Sequence, residues 1–204
     1  VSRIIVTHEA CNILPRHEPE STFPAKFTFG VIAGFYPHKG HLKVIKFASK
    51  LKQLGFSNFE ILFRGNPTYP TYIEDIKKEI GRYTLEDNIT FIPFTKNVTI
   101  QEIYSSISVL LLLSEYEGFG LPLLEAQAMG KPVICTDLPV FREVLEQSAL
   151  YVPENLSTDD IAQLIPMLKD YDLLKKLSLQ GYENVKRFSW ANTAKQTIDE
   201  LIKI

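Results

Sequence analysis

Two carboxylates, Glu117 and Glu125, stand eight positions apart around the run Gly118-Phe119-Gly120-Leu121-Pro122. Glycines let backbone N–H groups come close to a ligand. N–H groups at a helix start have no intrahelical partner and form a natural anion site. Together these groups suit a ligand that carries phosphate. Lys39, in a second glycine-containing loop before Gly40, adds a fixed positive charge. Such a charge stabilises a departing phosphate as its negative charge grows. Plainer readings stand beside these. An acid near a helix start is favoured by about 0.3–1 kcal/mol through the helix dipole alone. A loop lysine is commonly just solvated, Gly118 and Gly120 serve equally as turn residues, and Phe119 suits a core.

The elements that must hold these residues follow from periodicity. Val109 to Leu113 is a short, wholly apolar run, as expected for a strand buried on both faces of a parallel sheet. A helix follows from Pro122, a residue that costs nothing at a first helical position. The glycine loop therefore lies at the carboxyl end of a strand, where open α/β sheets hold ligands. Upstream, Phe27 to Ala33 reads as a strand and Gly40 to Leu54 as a helix with an apolar stripe at Leu42, Ile45, Ala48 and Leu51. Strands at Phe59–Phe63, Ile89–Pro93, Pro132–Cys135 and Ala149–Val152 alternate with helices at Tyr72–Arg82, Ile100–Ser106 and Val140–Leu145. This alternation predicts an α/β, Rossmann-like, doubly wound parallel sheet of about six strands. Three further helices, Thr158–Lys169, Leu173–Phe188 and Ala191–Ile204, follow without strands between them. Residues 1–26 hold three prolines and little periodicity and read as a linker or the end of another domain, with residues 27–204 as one domain.

Composition narrows the partners. The chain has 204 residues, 45% of them apolar, and a net charge of −2. That balance gives a real core and no basic excess of the kind nucleic acids attract. No run of ~18 apolar residues suits a membrane span, and the two cysteines, Cys11 and Cys135, have no metal-type spacing. His38 and His41 lack a carboxylate or cysteine to complete a metal site. A reducing cytoplasm is the simplest setting.

The stretch Glu117 to Asp137, EGFGLPLLEAQAMGKPVICTD, resembles the signature of family 4 glycosyltransferases, whose two carboxylates share the spacing of Glu117 and Glu125. The resemblance extends over residues 27–203 and includes Ala33-Gly34 with Lys39-Gly40, Gly65-Asn66-Pro67, Pro139 to Glu143, and Trp190. It implies one half of a GT-B fold: the C-terminal domain that binds a nucleoside-diphosphate sugar, with an acceptor-binding N-terminal domain elsewhere. Glu125 would then bind the ribose hydroxyls and Glu117 would face the donor sugar. Lys39 and the Gly118-Phe119-Gly120-Leu121 loop would hold the diphosphate, beside Gly34. Many relatives carry an arginine just before the lysine. This chain has Phe35-Tyr36-Pro37-His38 instead, and Arg64 is the candidate replacement.

The resemblance further implies a retaining, metal-independent, cytoplasmic transferase building a polysaccharide or glycolipid. UDP is the commonest family nucleotide and GDP the next. Any membrane contact would come through the absent half, without which transfer is expected to fail. A non-catalytic nucleotide-sugar module, an epimerase and a phosphorylase on the same fold remain alternatives.

Overall fold

The computed structural model describes residues 6–11, 26–93 and 98–202. Residues 1–5 and 12–25 of the stretch read as a linker, and the last two residues of the final helix expected from the sequence, lie outside that range.

The chain alternates as its apolar periods require. Strands β1 (Phe27–Ile32), β2 (Phe59–Arg64), β3 (Ile89–Ile92), β4 (Val109–Leu112), β5 (Val133–Thr136) and β6 (Leu150–Val152) build one sheet. Between them run α1 (His41–Gln53), α2 (Pro70–Arg82), α3 (Ile100–Ser105), α4 (Leu121–Ala128) and α5 (Pro139–Leu145). After β6 come α6 (Thr158–Lys169), α7 (Tyr171–Val185) and α8 (Trp190–Leu201). The sheet is six-stranded, in the order β3-β2-β1-β4-β5-β6, and every pair is parallel. The strand order reverses between β1 and β4, so their carboxyl ends open a crevice, the usual ligand position in such sheets.

Each face of the sheet carries its own apolar layer. Side chains alternate along a strand, so Phe29, Val31, Ile61 and Phe63 pack on α1, α2 and α6 through Val44, Phe47, Ile76 and Ile161. On the opposite face Leu110, Leu112, Val133 and Cys135 pack on α3, α4 and α5 through Tyr104, Leu124 and Phe141. All four residues of β4 are buried, which is why its sequence shows no alternation.

A buried polar network fixes α4 against α7. The Gln127 amide donates to the Ser148 hydroxyl at 2.7 Å, and the Asn184 amide donates to Gln127 Oε1 at 2.8 Å and to the Val144 carbonyl at 2.9 Å. Most polar groups in a core are paired in this way.

Several boundaries differ from the sequence expectation. A single 3-10 turn, Pro37–Lys39, precedes α1. The helix expected to reach Phe188 stops at Val185. Leu121 opens α4, with Gly120 as its cap and Pro122 second. Glu125 consequently sits in the second turn of α4, past the first-turn position assumed above.

Candidate nucleotide-sugar site

Lys39 and Glu117 face each other across the crevice between β1 and β4. The Lys39 ammonium donates to both carboxylate oxygens of Glu117 at 2.8 Å. The two side chains are 22% and 11% exposed, so the pair is partly shielded and retains more Coulomb attraction than a surface pair. Ser114, wholly buried after β4, donates its hydroxyl to Glu117 Oε1 at 2.8 Å. One carboxylate oxygen is therefore fixed twice.

The two loops are tied to each other by the N–H of Glu115, which donates to the His38 carbonyl at 2.8 Å. Gly40 makes this close approach possible. Its φ is 75°, and a β-carbon there would lie 2.0 Å from the Leu113 carbonyl oxygen. Only glycine meets both demands.

The pair borders a cavity of about 590 Å³ that Gly118, Phe119, Gly120 and Leu121 also line. Gly120, at φ 98° and ψ 50°, caps α4 without a side-chain hydrogen bond. Pro122 has no N–H and the Leu123 N–H donates to the Gly120 carbonyl at 2.9 Å, so the N–H groups offered to an anion are those of the Gly118–Leu121 loop leading into the helix. At the start of α1 the Tyr72 hydroxyl lies close by and donates to the Pro37 carbonyl at 3.5 Å.

Glu125 lies half-buried on α4, and the Tyr104 hydroxyl donates to its Oε2 at 2.7 Å. Burial raises the Glu125 carboxyl above the ordinary carboxylate range, and the Tyr104 hydrogen bond partly offsets that. Burial and the Glu125 charge push the Tyr104 phenol well above its usual value, so it stays a donor.

Gly34 and Arg64 take other places. The ring of Tyr36 lies over Gly34, 2.9 Å from where a β-carbon would stand. Arg64 is 7% exposed, and its Nε has no hydrogen-bond partner among the described residues. Hydrogen bonds from Thr99, and after them the charge of Arg64, keep the Glu102 carboxyl at the start of α3 below its usual range. Neither Gly34 nor Arg64 lines the cavity. Phe35, in the segment where many family 4 enzymes carry arginine, is buried between His41 and Phe91 at ring distances of 4.8 and 5.7 Å. Lys39 is the one lysine or arginine on the cavity wall among the described residues.

The sequence reading missed several participants. Tyr104 lies among apolar neighbours Ile103 and Ile107, and a tyrosine in such a stripe needs a partner for its hydroxyl; that need was the available signal. Residues 6–9, within the stretch read as a linker, form a further wall of the cavity. His8 holds them there: its Nε2 is 2.8 Å from Glu143 Oε1, and its carbonyl accepts the Thr193 hydroxyl at 2.5 Å. No sequence signal marked that contact. His41 is wholly buried, His38 stacks on Tyr116, and the described residues hold no cluster of three His, Cys, Asp or Glu suited to a metal ion. No disulfide joins Cys11 and Cys135. Among the described residues no helix is long and apolar enough to cross a membrane.

The fold and the sequence both have known counterparts. The chain is 32% identical over 164 residues to the O-antigen chain mannosyltransferase RfbU of Salmonella typhimurium, covering 80% of this chain and 44% of that protein. It is 30% identical over 120 residues to the O-antigen chain mannosyltransferase B of Escherichia coli, covering 59% and 32%. The chain thus spans less than half the length of these relatives. S. aureus TarM superposes over 98% of this chain and 39% of its own, with a TM-score of 0.81 at 19% identity. Anabaena HepE in complex with UDP and glucose superposes over 88% of this chain and 49% of its own, with a TM-score of 0.75 at 18% identity. The sequence profile of the glycosyl transferases group 1 matches residues 16–184, and the chain belongs to that family.

Proposed function

We propose that this chain is the donor-binding half of a retaining, cytoplasmic glycosyltransferase. The enzyme would move a sugar from a nucleoside-diphosphate sugar, UDP before GDP, to a glycan or glycolipid acceptor without a metal ion. The observation that carries the reading is the Lys39–Glu117 pair, set across the strand-order reversal beside the open start of α4. A diphosphate seated on the N–H groups of the Gly118–Leu121 loop is within the reach of Lys39, whose charge offsets that of the leaving group as the glycosidic bond breaks. Glu117, held by Ser114, is placed to accept hydrogen bonds from the donor sugar, and Glu125, held by Tyr104, from the ribose. Relatives named as mannosyltransferases and a structural neighbour solved with UDP and glucose support the same substrate class.

The test is calorimetric titration of the chain with UDP, GDP, ADP and CMP in the absence of metal, beside a Glu125→Ala variant. One nucleotide is expected to bind selectively and to bind at least about tenfold more weakly to the variant, the loss of a hydrogen-bonded charged group. Binding of none of them would overturn the reading.

One observation favours a second reading, a non-catalytic nucleotide-sugar module. Lys39 meets the diphosphate charge without a second lysine or arginine on the described cavity wall. Nucleotide binding without transfer, even in a protein that contains both halves, would establish that reading instead.

A further inference from the structure

Along the rim of the carboxyl edge of the sheet, outside the cavity, three rings are stacked. His38 sits between two tyrosines. Its ring centroid is 4.5 Å from that of Tyr116 at an interplanar angle of 17°, and 5.6 Å from that of Tyr36 at 28°. Tyr69, from the residue before α2, meets Tyr36 edge-on at 5.6 Å. Tyr36 rests on Gly34 at the end of β1. The stack is therefore footed on the sheet and ends at Tyr116, which remains 64% exposed although one face of its ring is taken by His38.

Folding does not require this arrangement. Neither Tyr116 nor His38 belongs to either apolar layer of the sheet. The two loops that carry them are already joined by the Glu115-to-His38 backbone hydrogen bond. The terminal ring is consequently ordered before any ligand arrives, which lowers the entropic cost of binding on it. The stacked pair His38 and Tyr116 directly precedes the Lys39–Glu117 pair in both loops, so the stack adjoins that pair at the edge of the cavity.

The chemistry of the surface selects the ligand. An aromatic face is electron-rich and attracts weakly positive C–H groups, while the phenol hydroxyl at its edge offers a hydrogen bond. A pyranose presents that complement, with C–H groups on its face and hydroxyls around its edge. A nucleobase also stacks, but the proposed nucleotide groups lie on the cavity wall and on α4, and neither Tyr116 nor His38 lines that cavity.

We propose that Tyr116, backed by His38 and Tyr36, is a saccharide-stacking subsite that seats a sugar unit of the acceptor at the mouth of the donor cavity. This rests on the glycosyltransferase reading and adds an acceptor contact made by the donor-binding half itself. It makes the acceptor a glycan chain, or a glycan-bearing molecule, with a pyranose near its growing end.

Aromatic proton–carbon NMR spectra of the chain, recorded with mannotriose, maltotriose or chitotriose and with or without UDP, test it. At least one trisaccharide is expected to shift the Tyr116 signals. Tyr116→Ala is expected to weaken that trisaccharide roughly three- to tenfold, the range for loss of one ring-stacking contact. Tyr116→Phe keeps the ring and is expected to stay within about twofold of the parent, on the same physical ground. No response to any trisaccharide while UDP still binds would overturn the subsite and leave the glycosyltransferase reading in place. Failure of UDP, GDP, ADP and CMP all to bind would count against that reading instead. Tyr116 signals that answer UDP-glucose but no trisaccharide would overturn the acceptor assignment in favour of a donor contact.

Discussion

At the scale of single residues, burial sets the charge of several side chains around the site, Tyr104, Glu125 and His41 among them. His41 is the sharpest case. Its ring is wholly enclosed by Phe35, Phe63 and Tyr72, and neither ring nitrogen has a partner among the described residues. Burial, and after it the charge of Lys39, lowers its pKa from 6.5 to about 4. The unfolded chain therefore takes up a proton near pH 6.5 that the folded chain refuses until about pH 4. Stability is fully present above pH 6.5 and is lost as pH falls through that window, by on the order of 3 kcal/mol. Glu125, with its raised pKa, works in the opposite direction, so the two are separated by comparing variants. His41→Leu is expected to melt no lower than the parent at pH 7, because an apolar side chain leaves no unpartnered nitrogen in the core. It is also expected to lose less stability between pH 7 and pH 4.5. Parallel melting-temperature profiles for the two proteins would refute this account of His41. The carboxylate spacing and Lys39 were legible in the sequence because glycine and charge are local signals. The supports Tyr104 and Tyr72 were not, because each acts on a residue from a different element, and Ser114, three residues before Glu117, was not because one loop serine is no signal in itself.

At the scale of elements, position follows from where two backbones are allowed to touch. The end of β1 approaches the end of β4 through Gly40, whose α-carbon faces the Leu113 carbonyl, and this contact brings Lys39 to Glu117. Gly118 stands in the same site with nothing within 4 Å of an added β-carbon. The two glycines should therefore part company under one substitution. Gly40→Ala is expected to cost at least ~2 kcal/mol, from a left-handed backbone and a clash with an immovable carbonyl. Gly118→Ala is expected to leave stability within about 0.5 kcal/mol while weakening nucleotide binding, since its methyl group enters the cavity. Chemical denaturation and nucleotide titration of both variants check the contrast, and equal destabilisation by the two would contradict it. The six strands were legible from their apolar runs within a residue or two of their ends, because β4 and β5 are buried on both faces and nothing polar interrupts them. Helix ends were less so. The helix expected to run to Phe188 stops at Val185 because Phe188 leaves the helical path to pack edge-on against Phe119 and His8, a tertiary contact that no local pattern announces.

At the scale of the whole molecule, the described residues form one six-stranded sheet, and the cavity at its carboxyl edge has residues 6–9 as one wall. Transfer to an acceptor needs water excluded and the acceptor oriented, and the relatives matched here are more than twice as long as the segment this chain matches. The last helix tells the same story in apolar area. No residue of α8 is buried, and Trp190, Ile198, Leu201 and Ile202 stand 45%, 54%, 63% and 78% exposed along it. An isolated helix of this length is marginal in water, and its stability normally comes from packing its apolar stripe. This stripe is expected to pack on an acceptor-binding half. In the chain alone, amides of residues 190–201 are expected to exchange with solvent far faster than those of α4, and the chain is expected to bind nucleotide but transfer no sugar. In a protein that joins it to an acceptor-binding half, the same amides are expected to become protected and transfer to appear. Hydrogen exchange by mass spectrometry, with a transfer assay on both forms, reads the two effects together. Slow exchange of α8 in the chain alone, or robust transfer by it, would show that the site needs no second half to close.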